Sequence, residues 1–268
     1  MRFEKWHGAG NAYLVIDSGE LGGELAPAQV ARICHPDLGA GSDGILVIEP
    51  SSTADARVRI LNPDGSEAEF SGNGTRIAVG YLARRERVDR IAVETLKGRI
   101  EGRVDGGSVT IDAGAAALDG PDHDPAGGAP PAPAYTFVSV GNPHCAIETA
   151  AVDELDLGRS GPAVERHPWF PNRVNVEFWR GISEHEIRLR VWERGAGETL
   201  SSGSCATAAA VAAVAAGRAS SPVTVHCDGG DLVVEVGAAL HVRLTGPVEH
   251  VQDGCFDGAF LEAAAVAP

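Results

Sequence analysis

An internal repeat with a fixed spacing of 131 residues is the feature of this sequence that most restricts its fold. Asn11 and Asn142 each follow a glycine, precede an apolar stretch and lie 131 residues apart. Ser71 and Ser202 each close a Glu-x-x-x-Ser-Gly element and have the same spacing. A Gly-Asn pair alone indicates only a turn, but two elements that share one spacing indicate a duplicated domain.

The repeat predicts two similar domains. A chain of 268 residues is long enough for two domains of about 130 residues each. We place them at 1–120 and 121–268, with the last residues free to return to the first domain. The stretch from Ala113 to Pro133, rich in Gly, Pro and Ala, is the expected joint.

Strands predominate in both halves. Short β-rich runs bounded by turn residues lie at 13–17, 45–49, 58–61, 90–94 and 109–111, and again at 137–140, 174–179, 186–191, 223–227 and 232–236. Helices are expected just after each repeated Ser-Gly, over Thr75 to Arg84 and Ser204 to Gly217. The second is apolar on all sides, which indicates a buried helix. We therefore expect an α+β fold in which strands surround one central helix in each domain.

The net charge and the lengths of the apolar segments limit the classes of partner that this protein can bind. The net charge of −15 disfavours nucleic acid and anionic membranes. The start, Met1 to His7, lacks the apolar core of a signal peptide, and the longest nearly apolar run, Cys205 to Ala216, is shorter than the roughly 20 residues of a membrane span. Five scattered cysteines without a Cys-x-x-Cys pair indicate neither a disulfide framework nor a metal site. We expect a cytoplasmic protein that binds a small molecule, with a homodimer as its candidate assembly.

The repeated Ser-Gly element is suited to binding an anion. A turn that opens a buried helix leaves backbone N–H groups at the positive end of the helix dipole, where a carboxylate binds well. The residues concerned are Gly72, Asn73, Gly203 and Ser204. If both helix starts face one cleft, a single carboxylate receives N–H groups from each, and Ser71 and Ser202 flank the adjoining atom. The alternative is that both serines are ordinary N-caps.

Further polar residues occupy positions where an apolar core would not place them. They are Asn62, Asn142, His144, Asn175, Glu193 and Arg194. Asn62 and Glu193 share the 131-residue spacing, as do Gly44 and Asn175, so equivalent positions carry different groups. Such divergence fits a symmetric site that adapted to an unsymmetrical ligand. Alternatively, His144 is a core histidine, Glu193-Arg194 a solvated pair and Asn175 a turn residue.

Six motifs together resemble the diaminopimelate epimerase family of PLP-independent amino acid racemases. They are Lys5-Trp-His-Gly-Ala-Gly-Asn11, Asn62-Pro-Asp-Gly-Ser-Glu67, Ser71-Gly-Asn-Gly-Thr-Arg76, Gly141-Asn-Pro-His-Cys145, Arg173-Val-Asn-Val-Glu177 and Glu193-Arg-Gly-Ala-Gly-Glu-Thr199. The resemblance covers almost the whole chain. It implies two domains, each a β-barrel around a central helix, an active site between them, and no cofactor.

The resemblance also implies the site residues. The catalytic set is Ser71, Ser202, His144 and Glu193. The substrate-binding set is Asn11, Gly44, Asn62, Gly72, Asn73, Asn142, Asn175, Glu193, Arg194, Gly203 and Ser204, with Arg194 holding a distal carboxylate. No metal ligand is implied.

The chain departs from the family at both catalytic thiols. The pattern Cys-Gly-Asn-Gly begins with Ser71 here, and Cys-Gly-Thr-Gly reads Ser202-Gly203-Ser204-Cys205. In the family, one cysteine removes the α-proton and the other delivers a proton to the opposite face. A third departure is Ala12, where the family usually has Asp. Cys205 lies three residues beyond Ser202 and points in another direction along the helix, so it is a weak substitute for the missing thiol.

The two serines change the chemistry. A thiol has a pKa of about 8.5 and an alcohol resembles water at about 15.7, a difference of about 7 pKa units or roughly 10 kcal/mol in forming the anion. Three functions remain open. They are epimerisation as in the family, for example LL- to meso-diaminopimelate in lysine and peptidoglycan biosynthesis; a related one-base isomerisation or dehydration; and amino acid binding without catalysis, including a Cys-to-Ser form that traps its ligand.

Overall fold

A computed structural model describes residues 1–118, 131–132 and 134–265. The predicted domain boundary at residue 120, and most of the predicted joint, lie outside the described residues. The chain divides into two compact units. The first runs from Met1 to Ile111 and includes the chain from Pro247 onward, and the second runs from Asp112 to Gly246.

The described residues form eighteen strands and five α-helices. The strands are β1 (Arg2–Gly8), β2 (Asn11–Asp17), β3 (Ile45–Glu49), β4 (Ala56–Leu61), β5 (Glu67–Ala68), β6 (Arg90–Thr95), β7 (Gly98–Asp105), β8 (Ser108–Ala115), β9 (Ala117–Leu118), β10 (Tyr135–Ser139), β11 (Pro143–Glu148), β12 (Asn175–Ser183), β13 (Glu186–Glu193), β14 (Gly197–Thr199), β15 (Val223–Cys227), β16 (Gly230–Val236), β17 (His241–Pro247) and β18 (Glu249–Cys255). The helices are α1 (Pro27–Cys34), α2 (Gly72–Glu86), α3 (Leu157–Glu165), α4 (Gly203–Ala215) and α5 (Gly258–Ala265), with 3-10 turns at Ser18–Glu20, Val152–Glu154 and Ala238–Leu240.

Strand pairing repeats between the two units. In the first unit the strand order is β18, β1, β2, β3, β4, β6, β7 and β8. Neighbouring strands pair antiparallel except for two parallel pairs, β2 with β3 and β4 with β6. Strands β9 to β13 and β15 to β17 repeat this order and these directions. Registers also correspond, since Leu14 pairs with Ile45 and Cys145 with Val176. The duplication predicted from the 131-residue spacing is confirmed.

Each unit has one central helix. Helix α2 contacts β1, β2, β3, β4, β6 and β7, and helix α4 contacts the equivalent strands β10, β11, β12, β13, β15 and β16. Helix α4 is buried from Gly203 to Ala213, as its uniformly apolar sequence predicts. It ends before Gly217, whose φ of 66° suits the residue after a helix. The α+β fold with strands around a central helix is therefore confirmed.

The outer face of each set of strands is covered as well. Helices α1 and α5 pack together, and Val30 and Ile33 of α1 share a core with Leu14 and Ile45. In the second unit, Leu157 and Val164 of α3 share a core with Phe137. Because both faces are covered, the parallel pair β2 and β3 is buried almost throughout. Among the described residues, no helix has the length and apolar character needed to cross a membrane.

Candidate active site

Ser71 occupies the N-cap of α2 in the first unit. Its Oγ accepts the Gly74 N–H at 3.0 Å and lies 3.1 Å from the Tyr13 hydroxyl, where either oxygen can donate. The Tyr13 ring comes from β2, so the sheet fixes the position of this hydroxyl beside the helix start. Ser71 is thus a genuine N-cap that also exchanges a hydrogen bond with a phenol.

A polar network lies beside Ser71. The Asn73 amide donates to Asn11 Oδ1 at 3.2 Å, and Asn11 donates to Asp43 Oδ2 at 2.9 Å. Asn73 Oδ1 accepts a 2.7 Å bond from Arg76, whose buried guanidinium also bonds the Gly72 carbonyl. These bonds fix the orientation of both predicted asparagines.

Two other predicted residues of the first unit have local roles in the described structure. Asn62 closes a turn, with its amide bonded to Ser66 Oγ at 2.9 Å and its N–H to the Ser66 carbonyl. Gly44 is buried where a Cβ would lie 2.6 Å from the Leu61 carbonyl oxygen and 2.7 Å from the Tyr13 ring. A side chain at position 44 would therefore displace Tyr13, which bonds Ser71.

Ser202 occupies the N-cap of α4 in the second unit without making a capping bond. Its φ and ψ of −141° and 127° match the −136° and 120° of Ser71, but its side chain accepts no helix N–H. Its Oγ lies 3.4 Å from Ser204 Oγ, and both side chains are buried. The Ser202 hydroxyl is therefore not committed to holding the first turn of the helix.

A buried acid and base lie on the strands next to α4. His144 Nδ1 is 2.6 Å from Glu177 Oε1, and His144 Nε2 is 2.8 Å from Asn142 Oδ1. Neither His144 nor Glu177 has measurable exposure. Burial raises the pKa of Glu177, and the neighbouring His144 offsets part of this rise. Glu177 Oε2 accepts no hydrogen bond within standard distances from the described residues, so this carboxylate keeps an open acceptor.

The remaining predicted residues of the second unit form a second network. Asn175 is buried, donates to the Pro143 carbonyl at 3.1 Å and accepts the Arg194 N–H at 2.9 Å. The Arg194 guanidinium bonds the Asn172 carbonyl at 3.3 Å. Glu193 Oε1 accepts the Thr199 hydroxyl at 2.7 Å. Asn175 thus fixes the backbone that carries Glu193 and Arg194.

Glu177 and Tyr13 were not among the predicted site residues. Glu177 is the only charged residue in the run from Val174 to Trp179, and a lone carboxylate in a strand buried on both faces is a signal that sequence reading could have used. Tyr13 had no such signal, because aromatic residues are ordinary strand formers.

Cys205 lies in the first turn of α4 and its side chain is fully buried. Its Sγ, a ring nitrogen of His144 and a carboxylate oxygen of Glu177 all lie within 4.8 Å of one another. Burial, with the carboxylates of Glu177 and Glu193 nearby, raises the pKa of the thiol well above its usual value. Cys205 is therefore a neutral thiol and is ill-suited to act as a free thiolate.

Each unit offers a hydroxyl at a helix start and, near it, side-chain amides held by hydrogen bonds. Ser71 and Ser202 can move protons, and the first turns of the helices can bind a carboxylate. Proton transfer at these serines requires partners that share the charge, since an isolated serine alkoxide is costly. The Tyr13 hydroxyl is such a partner for Ser71, and the Ser204 hydroxyl is one for Ser202.

Comparisons with known proteins agree over nearly the full length of the chain. The family model described as diaminopimelate epimerase matches residues 3–118 and 136–251. The diaminopimelate epimerase of Pelotomaculum thermopropionicum is 41% identical, covering 95% of this chain and 98% of that protein. That of Desulfitobacterium hafniense is also 41% identical, covering 98% and 99%.

Solved structures share the fold at low identity. A predicted epimerase from Pseudomonas aeruginosa has a TM-score of 0.71 at 19% identity, covering 95% of this chain and 98% of that one. A probable proline racemase from Agrobacterium radiobacter has a TM-score of 0.70 at 15% identity, covering 96% and 93%. From the family match and the full-length relatives, this chain belongs to the diaminopimelate epimerase family.

Proposed function

We propose that the protein is a cofactor-independent amino acid epimerase that acts on diaminopimelate or a closely similar diamino diacid. The observation that carries the proposal is the placement of Ser71 and Ser202. Each occupies the N-cap position of a buried central helix, where the family has a thiol, and each lies beside another hydroxyl, that of Tyr13 for Ser71 and that of Ser204 for Ser202. Full-length relatives named as diaminopimelate epimerases support the choice of substrate.

The proposed reaction uses the two serines as acid and base. One hydroxyl accepts the α-proton while the other donates a proton to the opposite face of the carbon, which inverts its configuration. The α-carboxylate is bound by backbone N–H groups of Gly72, Asn73, Gly203 and Ser204 at the helix starts. Arg194 holds the distal carboxylate, because its planar donors match a carboxylate in a bidentate manner.

Turnover is expected to be slow. Replacing a thiol by an alcohol adds roughly 10 kcal/mol to the formation of a free anion, and hydrogen-bonded partners recover only part of this. We therefore expect a rate far below the roughly 10 s⁻¹ of a median enzyme.

The test is α-proton exchange in D₂O. LL- and meso-diaminopimelate are each incubated with the protein, and the α-proton is followed by NMR while chromatography separates the stereoisomers. Exchange with inversion supports the proposal. Exchange or elimination without inversion would replace it with a one-base reaction, and binding without exchange would replace it with amino acid binding alone.

We also propose a cytoplasmic location and a homodimer. Cys34, Cys145 and Cys205 are buried free thiols, which suits a reducing compartment. Fractionation of the source cells tests the location, and light scattering of the purified protein tests the assembly, for which a monomeric mass would be contrary evidence.

A further inference from the structure

Cys205 has an equivalent residue in the first repeat, and the surroundings of that residue show which groups a side chain at this position meets. The residue 131 positions earlier is Gly74, in the first turn of α2. A Cβ built on Gly74 would lie 3.1 Å from Leu46 Cδ2 and 3.2 Å from Ser71 Oγ. A side chain at this place in the fold therefore contacts both the N-cap serine and the residue at the Leu46 position.

In the second repeat these neighbours are Ser202 and Glu177. Glu177 is the residue 131 positions after Leu46. Cys205 Sγ lies within 4.8 Å of a ring nitrogen of His144 and a carboxylate oxygen of Glu177, in the same first turn of α4 that follows Ser202. By this equivalence Cys205 lies between the proposed catalytic hydroxyl of Ser202 and the buried carboxylate of Glu177.

The spacing of this cluster does not suit a metal ion. Two nitrogen or oxygen ligands of one tetrahedral zinc at about 2.05 Å lie roughly 3.3 Å apart. His144 Nδ1 and Glu177 Oε1 are 2.6 Å apart, which is a hydrogen-bond distance. The cluster is built for proton sharing.

We propose that Cys205 is a positioning and proton-relay residue that connects Ser202 to the Glu177–His144 pair. This inference rests on the proposed function for its substrate, whereas the hydrogen bonds that it requires of Cys205 are tested without substrate. The second repeat thereby supplies the neighbour that a serine base requires. The groups facing the thiol are Glu177 on β12, His144 on β11 and Glu193 on β13.

The relay conserves protons at each step. The substrate α-proton passes to Ser202 Oγ as the Ser202 hydroxyl proton passes to Cys205 Sγ and the Cys205 thiol proton passes to Glu177. The electron pair of the broken C–H bond stays on the α-carbon, and the Glu177 carboxylate becomes a carboxylic acid. The reverse sequence lets Ser202 donate. The open acceptor Oε2 and the raised pKa of Glu177 suit this carboxylate to receive the proton.

An infrared measurement on the protein without substrate tests the hydrogen-bonded chain. The S–H stretching band of Cys205 is identified as the band lost in Cys205→Ala. We expect it to move in Ser202→Ala and in Glu177→Gln, and to stay in place in Ser71→Ala, the equivalent change in the first repeat. A band that stays in place in both Ser202→Ala and Glu177→Gln would overturn the proposal.

A kinetic measurement tests the relay itself. Cys205→Ala should lower kcat for α-proton exchange by about 10²-fold or more with little change in KM. Cys205→Ser, which keeps a donor and an acceptor, should retain most of the rate and shift the pH profile. Cys145→Ala, which removes another buried thiol of the same unit, is the control. An unchanged kcat and pH profile in Cys205→Ala would refute the relay. A wild-type protein that shows no α-proton exchange would refute the proposed function instead. In that case the infrared measurement alone would test the hydrogen bonds of Cys205.

Discussion

Helix α2 starts at Ser71 and helix α4 starts at Ser202, 131 residues later, with backbone angles that agree within about 10°. The side chains around the two starts differ. The differing pairs, with the first repeat named first, are Tyr13 and His144, Leu46 and Glu177, and Gly74 and Cys205. The first start is a capped serine beside a phenol. The second is an uncapped serine, and its helix carries Cys205 within 4.8 Å of a buried acid–base pair. The backbone and strand pairing of the two repeats agree, whereas the side chains at the two helix starts differ in charge and in hydrogen bonding.

The largest expected effect comes from restoring thiols at both helix starts. The double change Ser71→Cys and Ser202→Cys should raise epimerisation of diaminopimelate by about 10³-fold or more, because the gap of about 7 pKa units is removed while the binding geometry is retained. The readout is conversion of LL- to meso-diaminopimelate by NMR.

The two single variants are the controls for the double change. Each should gain far less, because inversion requires an acid and a base on opposite faces. A single variant that matches the double would show that only one helix start takes part, and an unmodified protein with kcat near 10 s⁻¹ would contradict the pKa argument.

The next effect concerns Arg194, whose equivalent in the first repeat is the uncharged Pro63. Arg194→Lys should weaken diaminopimelate binding about tenfold or more, because a charge-assisted bidentate bond contributes roughly 1.5–3 kcal/mol. Lysine, which lacks the distal carboxylate, should lose little affinity. Calorimetry measures both ligands, and Arg243→Lys, at an exposed arginine of the same unit, is the control. Equal losses for the two ligands would remove Arg194 from this role.

A smaller effect is the pH dependence of stability introduced by Glu177. Because burial raises its folded pKa, the native state holds a proton that the unfolded state has released, so stability falls as pH rises above about 4.5 through the folded pKa. A difference of one pKa unit between the folded and unfolded states corresponds to about 1.4 kcal/mol. Glu177→Gln should therefore gain in free energy of unfolding relative to the wild type over this window, as measured by urea denaturation at several pH values.

Glu20 provides a control of opposite sign. Its pKa is lowered by hydrogen bonds from Arg2, so its contribution is present above the unfolded pKa and is lost as pH falls. Glu20→Gln should thus flatten the acid side of the profile. A Glu177→Gln profile parallel to that of the wild type would mean that the pKa of Glu177 is the same in the folded and unfolded states.

The smallest effect separates the two serines as helix caps. Ser71→Ala should lower the free energy of unfolding by about 1 kcal/mol, because the bond to the Gly74 N–H is lost. Ser202→Ala should cost less, since no such bond exists in α4. Urea denaturation of both variants provides the comparison, and equal losses would show that the two helix starts are energetically alike.

Sequence reading succeeded where a pattern repeats and missed what depends on tertiary neighbours. The spacing of Ser71 and Ser202 predicted both central helices. Helices α1, α3 and α5 were missed, and α3 contains Gly161 and Pro162, which lower its helix propensity. In α3 the packing of Leu157 and Val164 overrides that propensity.

The site shows the same limit. Asn142, His144 and Asn175 lie in fixed polar networks in the structure, whereas Asn62 lies in a local turn with Ser66. Their catalytic and binding roles stay predictions. Cys205 and Glu177 lie close together in the structure but belong to a helix and a strand and are 28 positions apart, so no local pattern could reveal their proximity.

The capping bond of Ser71 sets a cost on ligand binding that Ser202 does not share. The Ser71 hydroxyl holds the Gly74 N–H at the start of α2, so a ligand that drew this hydroxyl away would cost the helix a capping bond of about 1 kcal/mol. Ser202 makes no capping bond. A ligand that engaged the Ser202 hydroxyl would therefore leave the first turn of α4 unchanged.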